Sequence, residues 1–398
     1  MPKLSPAPLS NNGNNTQKLR KIVMVDFKRD TAAKRVASPN DGKLKRAFAA
    51  LPFFGLSVAA YWVLNASEAV PFATKMVQSR QVKWDEGSVP FRTGPFYHVV
   101  WLDNLLSVIN TFFMSAIYGY DSATREQVIA FLIDGGSLLA VWWFESLRRT
   151  PGKVWFLRIP WAFALAGQLF GIGVVSPFFY FLHRVFSPAP ETCAARPPTD
   201  QRQVSAILPV VVLGYLLPSG AMLFSPGLDN RQIWLFIFQL YPLFMVLAFY
   251  ILSSILPSGS GSTRAANLKT TQISLFSLAA LAAWSWIYTC YRGRAGEIFL
   301  PTTVPRWELP DFEGFCRQFL RWDQTFAFSS SLLWLVYLVN DLKAVGQVQA
   351  GWLRVVSFGL ACLVMLGPGA TVGLGWLFTE ESLDPVPTKK SGKDKRSA

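Results

Sequence analysis

Charged residues are scarce in this chain, and the scarcity indicates its surroundings. They make up 16% of the 398 residues, whereas hydrophobic residues make up 51%. Because soluble domains usually carry about 25% charged residues, the deficit favours lipid as the solvent for most of the chain. We therefore expect an integral membrane protein.

Histidine and grouped cysteine are scarce as well, which excludes several kinds of site. The chain has two histidines, and its four cysteines are scattered without a CxxC pair. This composition rules out a histidine-rich di-iron site and provides neither a disulfide framework nor metal-ligand spacing. The sequence also lacks the GxxxxGK[ST] phosphate loop of ATP-driven pumps and the DDxxD motif that holds a diphosphate through magnesium. We expect no metal and no other cofactor.

Long apolar segments occupy most of the chain instead. A helix needs about 20 apolar residues to span a bilayer. The weakest of the nine candidates is 47–64, which is short and contains Pro52 and Gly55. The predicted fold is an all-α integral membrane protein, a polytopic bundle of eight transmembrane helices, or nine if 47–64 also crosses. The candidates are 47–64, 98–118, 127–146, 155–178, 204–224, 232–256, 273–291, 322–342 and 355–378.

Both ends of the chain are basic. Residues 1–46 contain eleven Lys and Arg residues against three Asp, so we predict a disordered cytosolic tail. Residues 379–398 form a second disordered basic tail in this interpretation, and 47–378 form the polytopic domain. We attribute the net charge of +14 to tails and loops that meet anionic lipid head groups, and not to nucleic-acid binding.

The distribution of Lys and Arg predicts the orientation. If 47–64 does not fully cross, eight crossings place thirty of these residues on one side and eight on the other. The positive-inside rule then puts both termini in the cytosol, with 47–64 re-entrant or interfacial, in the endoplasmic reticulum or another endomembrane. If all nine segments cross, the two basic tails lie on opposite sides and the bias weakens.

The sequon Asn65-Ala66-Ser67 tests this orientation. We expect no glycan at Asn65, because the loop after 47–64 faces the cytosol in the eight-crossing arrangement. The measurement is an endoglycosidase mobility shift on protein made in a eukaryotic host. A sequon inserted into the loop 179–203, on the opposite side, should be glycosylated and serves as the positive control. A glycan on Asn65 itself would exclude eight crossings.

Several of the predicted membrane helices carry carboxylates. A charge inside a bilayer costs about 2.5 kcal/mol or more, so such residues usually mark a site. Eleven residues make three helical turns, which places Asp134 and Glu145 on one helix face. By the same spacing Asp323, Trp334 and Asp341 lie along one face of the eighth helix.

Three of these acids are expected at one depth. Asp103, Glu145 and Asp323 lie near helix ends on the same side of the membrane, beside Arg148 and Arg321. One interpretation is interfacial: the acids pair with the arginines and fix the depth of the helices. The other is a pocket that holds a protonated acid, because apolar surroundings favour the neutral carboxyl and make it a usable general acid.

Asp134 is the favoured functional acid, because it lies near the middle of its helix and has no evident anchoring role. The alternative is a hydrogen bond between packed helices, to Gln168 or Asn110. Two GxxxG patterns, 167–171 and 369–373, indicate close helix packing.

Aromatic residues are abundant, with 32 Phe, 15 Trp and 11 Tyr. Many are expected to face lipid or to form interfacial belts. Trp284, Trp286 and Trp334 instead fall in mid-helix, where an aromatic-lined cavity could stabilise a carbocation and fit a prenyl chain. We therefore predict these three tryptophans as substrate-binding residues.

The layout from 98 to 378 resembles the membrane-bound fungal terpene cyclases of meroterpenoid pathways, such as those for ascofuranone and macrophorin. Locally, the resemblance lies in a long loop that closes with Phe319-Leu320-Arg321-Trp322-Asp323 and runs into a helix containing Leu332-Leu333-Trp334. The acidic second and third helices also fit. The family does not explain the tail 1–46, and 47–64 is interpreted as an addition.

This resemblance implies a metal-independent cyclase. In such enzymes an acidic side chain protonates a terminal epoxide or olefin of a prenylated substrate, and ring closure follows. By this resemblance, the general-acid role is expected for a member of one group of four acids: Asp103, Asp134, Glu145 and Asp323. The implied partners are the lipid bilayer and a hydrophobic prenylated small molecule, with no nucleic acid.

Two other classes of function stay open. A proton-coupled transporter or exporter of a small amphipathic metabolite would also use membrane carboxylates. Transporters often show internal repeats and helices broken at matched positions, and this sequence shows no repeat. A receptor or scaffold fits less well, because the loops contain no recognisable domain.

Overall fold

A computed structural model describes residues 42–84, 87–148, 154–187, 199–257 and 263–383. The predicted tails 1–46 and 379–398 lie outside these residues except for 42–46 and 379–383, most of which belong to the first and last helices. The described part is an all-α bundle with one short antiparallel hairpin, in which Gln81–Trp84 (β1) pairs with Gly87–Pro90 (β2). The fold class is thus confirmed as all-α, and the hairpin is a small addition to it.

The helices alternate between long uninterrupted ones and short ones that meet at bends. Three 3₁₀ turns (Thr111–Phe113, Trp155–Arg158 and Pro305–Glu308) and a π-turn (Val212–Leu216) connect some of them. The α-helices of the described residues are Lys43–Ala49 (α1), Leu51–Val63 (α2), Val70–Ser79 (α3), Val100–Asn110 (α4), Met114–Tyr118 (α5), Ser122–Leu147 (α6), Pro160–Phe170 (α7), Ile172–Phe186 (α8), Gln201–Val211 (α9), Leu217–Phe224 (α10), Leu228–Gln239 (α11), Tyr241–Ile255 (α12), Arg264–Tyr291 (α13), Ala295–Phe299 (α14), Phe312–Ala344 (α15) and Trp352–Ser382 (α16).

Within the described residues, six helical stretches are long and apolar enough to cross a membrane, or eight if two bent pairs each count as one span. The bent pairs are α1 with α2, which meet at 51°, and α11 with α12, which meet at 69°. The six stretches are Val100–Tyr118, Ser122–Leu147, Gln201–Phe224, Arg264–Tyr291, Phe312–Ala344 and Trp352–Ser382. The count of eight agrees with the predicted number of membrane helices, although the individual segments differ.

The predicted span 155–178 is not one helix. It is broken at Gly171 into α7 and α8, and Gly171 has a φ of +89°, which L side chains rarely adopt. Hydropathy missed the break because Gly167 to Gly173 is apolar throughout apart from Gln168. The first GxxxG pattern therefore contributes a helix break as well as packing.

The segment 47–64 is a bent helix pair. Pro52 lies in the first turn of α2, where a proline costs no hydrogen bond, and the bend between α1 and α2 immediately precedes it. The hydroxyl of Ser57 donates to the carbonyl oxygen of Val174 at 2.9 Å, which joins α2 to α8. This segment is therefore an integral part of the bundle.

Helix α15 begins at Phe312, ten residues before the predicted start at 322. The additional turns contain charged residues, which excluded them from an apolar window. Asp323 consequently lies in the interior of a long helix. The predicted common face of this helix is confirmed, because all three of its residues contact α8. The contacts are Asp323 with Gly173, Trp334 with His183, and Asp341 with Arg184.

Helix α6 is the central element of the bundle, since 83% of the residues in its most apolar stretch are buried. Two of its acids contact α16: Asp134 accepts a hydrogen bond from the Gly369 amide, and Glu145 accepts one from Trp376 Nε1 at 3.1 Å. The prediction that Asp134 and Glu145 share one face is thus confirmed. Gly369 allows this close approach, so the second GxxxG pattern is a packing contact as predicted.

Candidate active site

A cavity of about 350 Å³ lies inside the bundle. Its walls come from the end of α2, from α4, α6 and α7, from the start of α8, and from α12 and α15. Pockets for small molecules commonly span about 300–1,000 Å³ and are mostly apolar with a few polar groups. The polar side chains of this lining are Tyr61, Asn65, Gln168, Tyr215, Tyr241 and Asp323.

Asp323 is the only acidic residue in the lining, among the residues that the structure describes. Its side chain is 6% exposed, and Oδ1 accepts the Gly173 amide at 2.6 Å. The Ile172 amide also donates to this carboxyl. The break at Gly171 therefore exposes the first amides of α8, and the carboxyl of Asp323 occupies the end of that helix.

Three aromatic rings form one wall of the cavity. Tyr215 and Tyr241 meet edge to face with centroids 4.8 Å apart, and Phe238 stacks on Tyr241 at 5.4 Å. The π-turn Val212–Leu216 positions Tyr215, and the bend between α11 and α12 positions Tyr241 as the first residue of α12. Aromatic faces of this kind stabilise a nearby cation.

Phenylalanines complete the apolar walls. Phe112, in the 3₁₀ turn after α4, packs against Phe319 of α15 with centroids 5.3 Å apart. Phe131 of α6 also lines the cavity. These rings and the two tyrosines were not predicted from the sequence. The prolines at 209, 218 and 242, which accompany the π-turn and the α11–α12 bend, were the available signal.

Asp134 lies at the same depth as Asp323 but on another side of α15. Its Oδ2 accepts a hydrogen bond from Gln324 Nε2 at 3.3 Å, and its side chain is 3% exposed. It does not line the cavity, although Gly135 and Tyr215 beside it do. The helix-packing hydrogen bond considered for Asp134 thus exists, with Gln324 and Gly369 as partners in place of Gln168 or Asn110.

Glu145 belongs to a separate polar network. It accepts from Arg148 at 2.8 Å, pairs with His183 Nε2 at 3.1 Å, and contacts Trp376. Glu145 contacts His183 of α8, and Asp323 contacts Gly173 of the same helix. These two contact points are ten residues apart, or about 15 Å along the helix. The predicted common depth of Glu145 and Asp323 is therefore wrong, because α15 starts earlier than hydropathy indicated.

Asp103 faces the loop that precedes α4. Its Oδ1 accepts the Tyr97 amide at 2.9 Å, and its buried Oδ2 has no hydrogen-bond partner. Burial and the neighbouring Asp103 carboxylate raise the pKa of Tyr97 to about 12, so its hydroxyl stays protonated and donates to the Phe236 carbonyl oxygen at 3.0 Å. Asp103 does not line the cavity.

The three predicted tryptophans lie elsewhere as well. Trp284 is 65% exposed on the outer surface of α13. Trp286 donates to the Val364 carbonyl oxygen at 2.9 Å and packs into the kink of α16 at Gly367. Trp334 is fully buried between Tyr180 and His183. Mid-helix position indicated depth, but it did not indicate which way each ring faces.

Groups that could hold a metal ion are not gathered at the cavity. Within the described ranges, no three His, Cys, Asp or Glu side chains cluster as a metal site would. The polar groups available to a bound molecule at the cavity are thus the Asp323 carboxyl, the Gln168 and Asn65 amides, and the tyrosine hydroxyls.

Comparison with known proteins places the cavity in a family context. The model of the CtvD domain family matches residues 47–378, which includes the segment 47–64 that was interpreted as an addition. Terpene cyclase ctvD of Aspergillus terreus is 23% identical over 296 residues, covering 71% of this chain and 83% of that protein. No solved structure matches the chain.

Two longer relatives carry a different name. FAD-dependent monooxygenase verC1 of Penicillium polonicum is 32% identical over 354 residues, covering 86% of this chain and 43% of that protein. FAD-dependent monooxygenase anuJ of Penicillium roqueforti is 27% identical, covering 84% and 40%. The chain thus spans less than half the length of these two relatives. The family match and the cyclase relative confirm the resemblance to fungal terpene cyclases, and the chain belongs to the CtvD domain family.

Proposed function

We propose that this protein is a metal-independent terpene cyclase, in which Asp323 protonates a terminal epoxide or olefin of a prenylated substrate. The observation that carries the proposal is one carboxyl group at a break between helices, in the wall of an aromatic cavity inside the bundle. Asp134, the acid favoured from the sequence, lies behind the cavity wall, so the proton-donor role passes to Asp323.

The proposed reaction is an isomerisation, so the substrate and the product contain the same atoms. The carboxylic acid gives its proton to the epoxide oxygen, whose C–O bond breaks, or to an alkene carbon, which forms a C–H bond. The cation is then attacked by the π electrons of a neighbouring alkene, and each attack forms a C–C ring bond. The last cation loses a proton to the Asp323 carboxylate, which forms the final alkene and restores the acid. The rings of Tyr215, Phe238 and Tyr241 face the cavity and stabilise the cations.

The names of the relatives support this assignment in two ways. One relative, which this chain matches over most of that relative's length, is named a terpene cyclase. The monooxygenases are more than twice as long as the region they share with this chain, and that region is the helical bundle. We assign flavin-dependent oxygenation to their remaining part. Oxygenation by a monooxygenase can produce an epoxide, which is one of the two substrates proposed here.

We infer that the cavity opens at the outer surface of the bundle near the end of α2, the start of α3 and the end of α7. Four of its lining residues are exposed there, with exposed fractions of 43–58%. We propose that the protein is embedded in an endoplasmic reticulum membrane and that the hydrophobic prenylated substrate reaches Asp323 from the bilayer through this opening. The four residues are Tyr61, Val70, Leu169 and Phe170.

Microsomes from a yeast host that expresses the protein test the proposal. They are incubated with farnesylated phenols, with and without a terminal epoxide, in the presence of EDTA. Mass spectrometry should find a product of unchanged mass and new retention time, absent from microsomes without the protein. If no substrate of the panel gives an isomer while the protein is folded and present, the cyclase assignment fails.

A proton-coupled transporter is the second candidate, and the break at Gly171 is the observation that favours it. Transporters commonly bind substrate where a membrane helix is discontinuous. Uptake into sealed vesicles that depends on a pH gradient would support it. A cyclase instead forms its isomer in detergent-permeabilised membranes, where no gradient exists, so the two assays separate the candidates.

A further inference from the structure

The side chain of Gln168 contains a hydrogen-bond donor that nothing in the described structure uses. Its Nε2 is buried and has no partner, whereas most buried polar groups are paired. Gln168 also lines the cavity. A buried amide that faces a binding cavity without a partner is placed to bond an oxygen atom of a ligand, because the ligand then supplies the missing acceptor.

Gln168 and Asp323 flank the same break. Gln168 is in the last turn of α7, three residues before Gly171, and such residues are neighbours on a helix surface. A methyl group at Gly171 would lie 2.7 Å from Asp323 Oδ1, which shows how closely the carboxyl approaches the break. An amide donor and a carboxyl group therefore lie at one end of the cavity.

We propose that Gln168 binds the substrate by donating its N–H to the oxygen atom that Asp323 protonates. The proposal rests on the proposed function and deepens it, since it assigns the substrate an oxygen at the break. A substrate with an alkene at that position leaves the donor unpaired. Sites built to bond a substrate oxygen discriminate strongly against analogues that lack it, because their own polar groups then stay unpaired.

Inhibition constants measure this role separately from proton transfer. Two competitors of the epoxide substrate are compared: the parent alkene, and the corresponding terminal tertiary alcohol, which keeps the oxygen but has no strained ring. With the wild-type protein the alcohol should bind at least about tenfold more tightly than the alkene. In Gln168→Leu this ratio should fall to near one, and Gln168→Asn, which keeps a shorter donor, should restore part of it.

The outcomes separate the two proposals. If Gln168→Leu weakens both competitors equally and leaves their ratio unchanged, the residue only shapes the cavity and the Gln168 proposal is overturned. The cyclase proposal fails separately, if the wild-type protein forms no isomer from any substrate of the panel, and the assignment of Asp323 as proton donor fails if Asp323→Asn still forms the isomer at the wild-type rate. Should the wild-type protein bind alkene and alcohol equally, the oxygen contact is also excluded, whatever the variants do.

Discussion

Replacing Asp323 by Asn is expected to lower the rate of isomer formation by at least about 100-fold. General acids contribute about 10²–10⁴-fold to a rate, and an amide of the same shape cannot give up a proton to the substrate. Asn can still accept the Gly173 amide through its own oxygen, so the break between α7 and α8 should persist. The measurement is the initial rate of product formation in microsomes that contain equal amounts of folded protein.

Two matched variants show whether the loss is specific. Asp341→Asn changes an acid on the same face of α15, at the far end beside Arg184, and should retain the rate. Asp134→Asn changes a buried acid at the depth of Asp323 but outside the cavity lining. If Asp134→Asn abolishes the reaction and Asp323→Asn does not, the proton donor has been assigned to the wrong side of α15.

Replacing Gly173 by Ala is expected to lower the free energy of unfolding by about 3 kcal/mol or more, because it overpacks a tight helix contact. A methyl group there would lie 2.5 Å from the backbone oxygen of Asp323 and 3.0 Å from Cβ of Phe326, so α8 and α15 would have to separate. Thermal unfolding of the purified protein in detergent measures the change. Activity should fall as well, since the contact holds Asp323.

Gly220→Ala provides the control for this substitution. Gly220 lies inside α10, and a methyl group added there would have no atom within 4 Å. Alanine is a better helix former than glycine, so this variant should be unchanged or more stable by about 0.5–1 kcal/mol. If Gly173→Ala unfolds at the temperature of the wild-type protein, α8 and α15 are not packed as described.

The sequence predicted the number of long apolar helices more accurately than the residues at which those helices begin and end. Length and hydrophobicity identify a span, because lipid imposes both. They do not report the backbone conformation of Gly171, nor the charged first turns of α15 from Phe312 onward. The early start of α15 changes the depth of Asp323, which is why the predicted common level of Glu145 and Asp323 was wrong.

The candidate site was predictable in its chemistry and not in its assembly. The cost of a carboxylate in lipid singled out Asp103, Asp134, Glu145 and Asp323 from sequence alone, with Asp134 as the favoured acid. Choosing Asp323 over Asp134 required knowledge of which way each residue of α15 faces. Gln324, the residue after Asp323, bonds Asp134, so Asp134 and the cavity lie on different sides of α15. Rotation also decided the aromatic walls, where Tyr215 and Tyr241 face the cavity and Trp284 faces outward.

The proposed opening at Tyr61, Val70, Leu169 and Phe170 would determine which concentration of substrate the protein experiences. A molecule that enters from lipid is delivered by diffusion in two dimensions, and the aqueous concentration only sets how much of it dissolves in the membrane. Extra phospholipid or detergent at constant total substrate would then act as a diluent and slow turnover. Under the proposed entry from the bilayer, the apparent KM of this protein is properly expressed as a mole fraction in the bilayer.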